Sequence, residues 1–163
     1  MIYPANFEEK IGFDRIREQV TALCSTPSAK AKLAEEGFST SADEIERRLS
    51  LMNEMRSLLM LERDFPDGGY PDPAALVEGS YLLAAEADQL RKALVTVGAI
   101  AEFILGRGGA RYPRLWELSR RVTLFPEIVR AIDAILDDRG EVKDSASPEL
   151  QQVRRAIRER EGQ

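Results

Sequence analysis

The apolar residues of this chain recur every three or four positions over most of its length, which is the spacing of one face of an α-helix. The clearest run predicts a long and well-buried helix from about residue 84, through Leu90, Leu94, Val97, Ala101 and Ile104. We find no run of alternating apolar and polar residues, and at most one short extended piece fits residues 140–144. The sequence therefore predicts an all-α fold, a multi-helix bundle.

Capping residues and prolines mark where several of these helices begin. Thr26-Pro27 predicts the start of a short helix that Gly37 ends, and Ser41 with Glu44 forms a capping-box pattern that opens a long one. The apolar stripe of that long helix is predicted to face the core through Ile45, Leu49, Met52, Met55 and Leu59. Leu51, Leu58 and Leu61 are predicted to widen the stripe enough to pack against two neighbours. Two shorter helices are predicted over residues 113–122 and 126–136.

Two interruptions divide the chain. Residues 65–73 contain three prolines and two glycines, so a loop break between two helical lobes is expected over residues 65–80. Near the end, Ser147 is predicted to cap a helix whose first residue is Pro148, with Glu149 at the positive end of its dipole. We therefore predict a helical core domain over residues 1–147 and the start of a truncated helix over residues 148–163, as expected for a piece of a longer chain.

Composition excludes most catalytic chemistry. The 163 residues include no histidine and one cysteine, so the usual general base, the commonest metal ligand and an internal disulfide are all missing. Cys24 is interpreted as a small buried hydrophobe. We predict no catalytic residue, no metal site and no cofactor in these residues. The single cysteine, and the lack of a recognisable signal peptide or membrane-spanning run, predict a cytoplasmic protein without membrane contact.

The glycine-rich residues 106–110 and the acidic clusters are interpreted structurally. A phosphate-binding P-loop would need a lysine followed by Ser or Thr at the start of a helix, whereas these glycines follow the end of one. The acidic residues Asp64, Asp67, Asp72, Asp137, Asp138 and Glu141 lie in predicted turns without a calcium-loop spacing. A helix stop and hydrogen-bonded turns explain both patterns.

Basic residues provide the candidate nucleic-acid contacts. Residues 107–121 carry five arginines and one acid, with Tyr112 and Trp116 among them, and this mixture suits phosphate contact and base stacking. The alternative is a helix that uses its apolar residues for the core. On the terminal helix the alternative is a solvated, salt-bridged surface. The candidate residues are Arg107, Arg111, Arg114, Arg120 and Arg121, followed by Arg154, Arg155 and Arg158.

The end of the chain resembles a known family. Gly140-Glu141-Val142-Lys143-Asp144-Ser145-Ala146-Ser147-Pro148-Glu149-Leu150, followed by Val153-Arg154-Arg155, is similar to the motif that precedes the lever helix in the type-two MutS proteins of bacteria. The opening Ile11-Gly12-Phe13-Asp14-Arg15-Ile16 resembles the first helix of that family, and residues 70–76 resemble its central loop. The resemblance runs through nearly the whole chain in the same order.

This resemblance implies the N-terminal core of a large homodimeric ATPase. Such proteins bind ATP and Mg²⁺ in a region that these residues do not contain, and they usually end in a Smr nuclease domain. They bind branched or duplex DNA and suppress recombination, and in some bacteria they act on ribosomes and ribosomal RNA. The expectation for these residues alone is a non-catalytic, monomeric base that positions the lever and clamp.

Two other functions remain open at this point. A helical adaptor, or a ribosome-associated quality-control module, would act through protein or RNA contacts, and its interface would be the face of Leu150, Val153 and Ile157. An enzyme in its own right ranks last, because no histidine, nucleotide loop or paired acids suggest an active site.

Overall fold

A computed structural model describes residues 6–66, 68–77 and 81–161 of the chain. Within these residues it is all-α, as predicted, and no helix in them is long and apolar enough to cross a membrane. The short extended piece is one antiparallel bridge between Leu136 and Val142. The helices are α1 (Phe7–Lys10), α2 (Phe13–Leu23), α3 (Pro27–Glu35), α4 (Ala42–Leu61), α5 (Ala84–Arg107), α6 (Pro113–Ser119), α7 (Pro126–Ile135) and α8 (Pro148–Glu161), with 3-10 turns at Ala74–Val77 and Asp144–Ala146.

The chain divides into two compact units, Met1–Ser39 and Thr40–Gln163. In the first unit, Arg17 of α2 connects all three helices. Its guanidinium donates to the carbonyl oxygens of Leu33 and Glu36 at 3.1 and 2.8 Å, and to the carboxylate of Glu8 at 2.9 Å. Polar contacts of one side chain therefore connect the three helices, and an edge-to-face contact between Phe7 and Phe38 adds to them.

The apolar face of α2 stays largely open to solvent. Ile16 is 52% exposed and Leu23 is 85% exposed, and among the described residues of this unit none is fully buried. Cys24 is half-buried, and its Sγ lies 3.5 Å from the carbonyl oxygen of Val20. The prediction of a buried Cys24 is therefore only partly right.

In the second unit, α5 is the central helix, as predicted. Its buried residues are Asp88, Leu90, Ala93, Ala101 and Ile104. Near its C-terminal end, Ile104 packs with residues of α4 and α6 in one cluster, completed by Leu58, Phe65, Tyr112 and Leu115. Near its N-terminal end, Leu90 packs with Ile132 and Leu136 in a second cluster. One helix thus joins two small cores.

The predicted core stripe of α4 is only partly right. Ile45, Leu49, Met52 and Leu59 are each more than 40% exposed, whereas Leu58 is fully buried and Leu51 and Met55 pack beside it. The buried face is rotated from the predicted one because α4 packs against α6 through residues 51, 54, 55 and 58.

Between α4 and α5, the described residues form no α-helix. The helix α4 ends at Leu61, and Phe65 then turns inward, with its ring centroid 5.5 Å from that of Phe103 in an edge-to-face arrangement. The 3-10 turn Ala74–Val77 follows. Asp67 and residues 78–80 of the predicted break, and residues 162–163 of the predicted terminal helix, lie outside the described residues.

Candidate functional site

Helix α8 begins at the residues that the sequence singled out. Pro148 is its first residue, and the hydroxyl of Ser147 accepts a hydrogen bond from the amide of Leu150 at 3.1 Å. The pKa of Glu149 is lowered, first by its own backbone amide and then by the Ser147 side chain. The first turn of α8 therefore has its free amides satisfied locally.

A short ion-pair cluster holds the next two turns of α8. Asp144, in the 3-10 turn just before the helix, accepts hydrogen bonds from the guanidinium groups of both Arg154 and Arg158. The two arginines lower the pKa of Asp144, Arg154 most and Arg158 next. Arg155 instead pairs with Glu159, 3.0 Å away on the same helix. All three of the arginines predicted as contacts on α8 are therefore in ion pairs.

A tight hairpin connects α7 to this cluster. The carboxylate of Asp137 accepts from the amides of Arg139 and Glu141 at 2.8 and 2.9 Å, and both bonds lower its pKa, that from Glu141 more. Gly140 has φ of 78°, a left-handed conformation that favours glycine, and an added Cβ would lie 3.0 Å from Cγ of Asp88. The terminal motif therefore contains residues with definite geometric roles.

The hairpin lies against a buried charge network on α5. Asp88 is buried and pairs with Lys92 at 2.6 Å and Arg91 at 2.5 Å, and Arg91 also reaches Asp133 of α7 at 3.1 Å. These partners lower the pKa of Asp88, Lys92 most, while burial opposes the shift. The pKa of Arg91 is raised, chiefly by Asp133. Helix α7 is thus tied to α5 by charge as well as by apolar packing, and Gly140 of the hairpin lies against Asp88.

Two arginines of the predicted basic segment are occupied by one carboxylate. Glu62, whose side chain is 8% exposed at the end of α4, pairs with Arg107 at 3.0 Å and with Arg111 at 2.9 Å. It also accepts a hydrogen bond from the hydroxyl of Tyr112 at 3.2 Å. The predicted helix stop lies here, since α5 ends at Gly108 with φ of 76°. Arg107 and Arg111 therefore hold the ends of α4 and α5 together.

A second glutamate of α4 caps α6. The carboxylate of Glu54 accepts from the backbone amides of Arg114 and Leu115 at 3.1 and 2.9 Å. The acid therefore satisfies free amides of the first turn and sits at the positive end of the α6 dipole. Since the two helices are 60 residues apart in sequence, local sequence patterns did not indicate this contact.

The remaining arginines of the segment lie elsewhere. Arg120 is placed over the ring of Trp116, with its Cζ 4.8 Å from the ring centroid, and Gly109 packs against the same ring. Arg114 and Arg121 line a surface pocket of about 80 Å³ together with Arg47 of α4. The structure thus separates the five predicted arginines into three groups and adds Arg47, which sequence reasoning missed.

Comparison with protein-family models gives no match for this chain. Comparison with curated proteins finds relatives that share one name. The chain is 28% identical over 152 residues to "Endonuclease MutS2" of Bacillus velezensis and to "Putative endonuclease MutS2" of Bacillus subtilis, and 31% identical over 154 residues to "Endonuclease MutS2" of Thermomicrobium roseum. Each match includes 90% of this chain and 19% of the relative, so the chain spans about a fifth of their length.

Proposed function

Because the chain is MutS2-like over nine-tenths of its length, we propose that it is the helical base from which α8 departs as a lever in a MutS2-like protein. In this proposal the chain fixes the starting point and direction of α8. A rigid helix of about 1.5 Å rise per residue can then carry a displacement to a distant part of the protein. The chain itself performs no chemical step.

The observation that carries this proposal is the double ion pair of Asp144. Arg154 and Arg158 are four residues apart and therefore on the same face of α8, and both contact one carboxylate that precedes the helix. Ser147 fixes the first turn, so the helix is held at its start and at its second and third turns. These two attachments support a fixed starting direction for α8.

We further propose the activity of the whole protein from the names of its relatives. A MutS2-like protein would bind DNA and act in repair or recombination, and it would be an endonuclease, as the relatives are named. Its ATP and Mg²⁺ would bind outside these residues. In support of a non-catalytic base, residues 106–110 end a helix and do not form a phosphate loop, and no group of three or more metal-binding side chains occurs within the described part of the chain.

In the test, this chain replaces the matching segment of the Bacillus velezensis relative. The nuclease activity of the resulting exchange protein is then measured. We expect activity to be retained by the exchange protein and reduced when Asp144→Asn is added, because that change neutralises the carboxylate shared by the two arginines. Glu159→Gln is the matched control, since it removes one ion pair on the same helix without touching Asp144.

Folding of every exchange protein is checked by circular dichroism and gel filtration. A folded exchange protein without nuclease activity would show that this chain does not serve the same role as the relative's segment. Full activity of the Asp144→Asn protein would show that the ion pairs at the start of α8 are not needed for the lever.

A further inference from the structure

Three arginines from separate parts of the sequence surround one small pocket on the second unit. Arg47 comes from α4, Arg114 from the first turn of α6, and Arg121 from the residues just after α6. Leu51, Glu117 and Leu118 complete the lining, so three arginines and one glutamate surround the pocket. This is a local excess of positive charge in a chain whose net charge is −5.

The positive charge of this pocket is largely uncompensated. Among the described residues, the guanidinium groups of Arg47 and Arg121 have no hydrogen-bond or ion-pair partner, and a guanidinium nitrogen of Arg114 lies 3.8 Å from the carboxylate of Glu117, whose side chain is 70% exposed. An exposed pair at this distance is worth little. By contrast, Arg107 and Arg111 share the carboxylate of Glu62, so that only one of their two positive charges is uncompensated. The two parts of the predicted basic segment therefore differ in what they can offer an anion.

The chemistry of the pocket suits a single phosphate group. Guanidinium groups donate in a planar fork that matches phosphate oxygens, and three arginines line this pocket. The amides of Arg114 and Leu115 at the start of α6 are already occupied by Glu54, so an anion would be held by side chains. About 80 Å³ is far below the volume that encloses a whole nucleotide or another small-molecule ligand.

We propose that Arg47, Arg114 and Arg121 bind a backbone phosphate of a nucleic acid. The pocket is shallow, with Leu118 53% exposed beside it, so a phosphate on a continuous strand can reach it without being enclosed. A free phosphate or pyrophosphate shares the same chemistry and is separated by the experiment below. The choice of nucleic acid rests on the proposed function, in which the whole protein handles DNA.

The experiment measures binding of the 163-residue chain to a short fluorescein-labelled DNA duplex by anisotropy, at about 50 mM and about 200 mM salt. Arg47→Gln and Arg121→Gln should each weaken binding on the order of fivefold. Each should also reduce the slope of log binding constant against log salt concentration by about 1, the value for one phosphate contact. Glu117→Gln should strengthen binding, because it removes the one carboxylate of the pocket. Arg56→Gln is the control, since it removes the same charge from an exposed position on α4 outside the pocket.

A second arm titrates pyrophosphate and follows the fluorescence of Trp116, the single tryptophan, which lies on α6. Binding of pyrophosphate without binding of duplex would overturn the nucleic-acid assignment. No binding of either, or equal weakening by Arg56→Gln, would overturn the site itself. These outcomes are independent of the exchange experiment, which measures nuclease activity after a change at Asp144. The phosphate-site proposal and the lever proposal can therefore each fail without the other.

Discussion

At the scale of single residues, Glu62 determines the environment of two arginines in the basic segment of residues 107–121. Its side chain is nearly buried and contacts two arginines and a tyrosine hydroxyl, so its charge is matched inside the fold. Sequence reasoning counted Arg107 and Arg111 as possible phosphate contacts because their partner lies about 45 residues earlier, at the end of another helix. The only sequence feature that pointed to this contact was an acidic residue at the end of an apolar helix.

We predict that Glu62→Gln lowers the free energy of unfolding by about 1–2 kcal/mol, between the values for exposed and for fully buried ion pairs. Glutamine preserves the shape of the side chain and an acceptor for Tyr112, but it leaves two guanidinium groups without their counter-charge. Urea denaturation of both proteins measures the difference. Glu117→Gln, at a carboxylate that is 70% exposed, should change the free energy by less than about 0.5 kcal/mol. Equal effects of the two substitutions would contradict the role of Glu62.

A second residue-scale prediction concerns the cap of α8. Ser147→Ala removes the oxygen that accepts from the amide of Leu150, and should cost on the order of 1 kcal/mol. Amide exchange at Leu150 should quicken accordingly. Ser145→Ala, at an exposed position in the preceding 3-10 turn, is the control and should leave that exchange unchanged. An unchanged rate in Ser147→Ala would show that the hydroxyl contributes nothing to the helix start.

At the scale of helices, the residues at which helices begin were predicted better than the helix faces that are buried. Thr26, Ser41 and Ser147 each accept an amide hydrogen bond where the sequence placed a cap, because capping depends on residues three positions apart. The buried face of α4 was predicted only in part, through Leu51, Met55 and Leu58, because that face also carries acids. Glu54 lies among the packed apolar residues and Glu62 continues that face, so the stripe looked polar in the sequence. Their partners on other elements explain why acids are tolerated there.

The attachment of α8 should depend on pH. The folded state lowers the pKa of Asp144 below its ordinary value of 3.8, so the carboxylate binds protons more weakly when folded than when unfolded. The contribution of the ionised Asp144 to the stability of the folded state is therefore fully present above about pH 5. It is lost as the pH falls through the lowered pKa. We predict that the melting-temperature difference between the native chain and Asp144→Asn is constant near neutral pH and shrinks in acid. A difference that grows in acid would contradict the sign of this linkage.

At the scale of the whole molecule, the all-α class and the central place of α5 followed from periodicity alone. The separation of the first 39 residues as a compact unit did not, because the apolar spacing of α2 resembles that of a core helix although its face is exposed. The pocket of Arg47, Arg114 and Arg121 was also hidden, since it needs α4 and α6 to be adjacent. Contacts between distant segments account for both omissions.

We propose that α8 extends in a fixed direction from the residues that precede it, and the distance between two spin labels, measured by double electron–electron resonance, tests this proposal. Spin labels at Val95→Cys on α5 and Arg160→Cys on α8, with Cys24→Ser, report the position of a point about 18 Å along the helix from Pro148. We predict one narrow distance distribution, which broadens when Asp144→Asn removes the carboxylate shared by Arg154 and Arg158. A distance distribution that is already broad with Asp144 intact would contradict a fixed direction of α8.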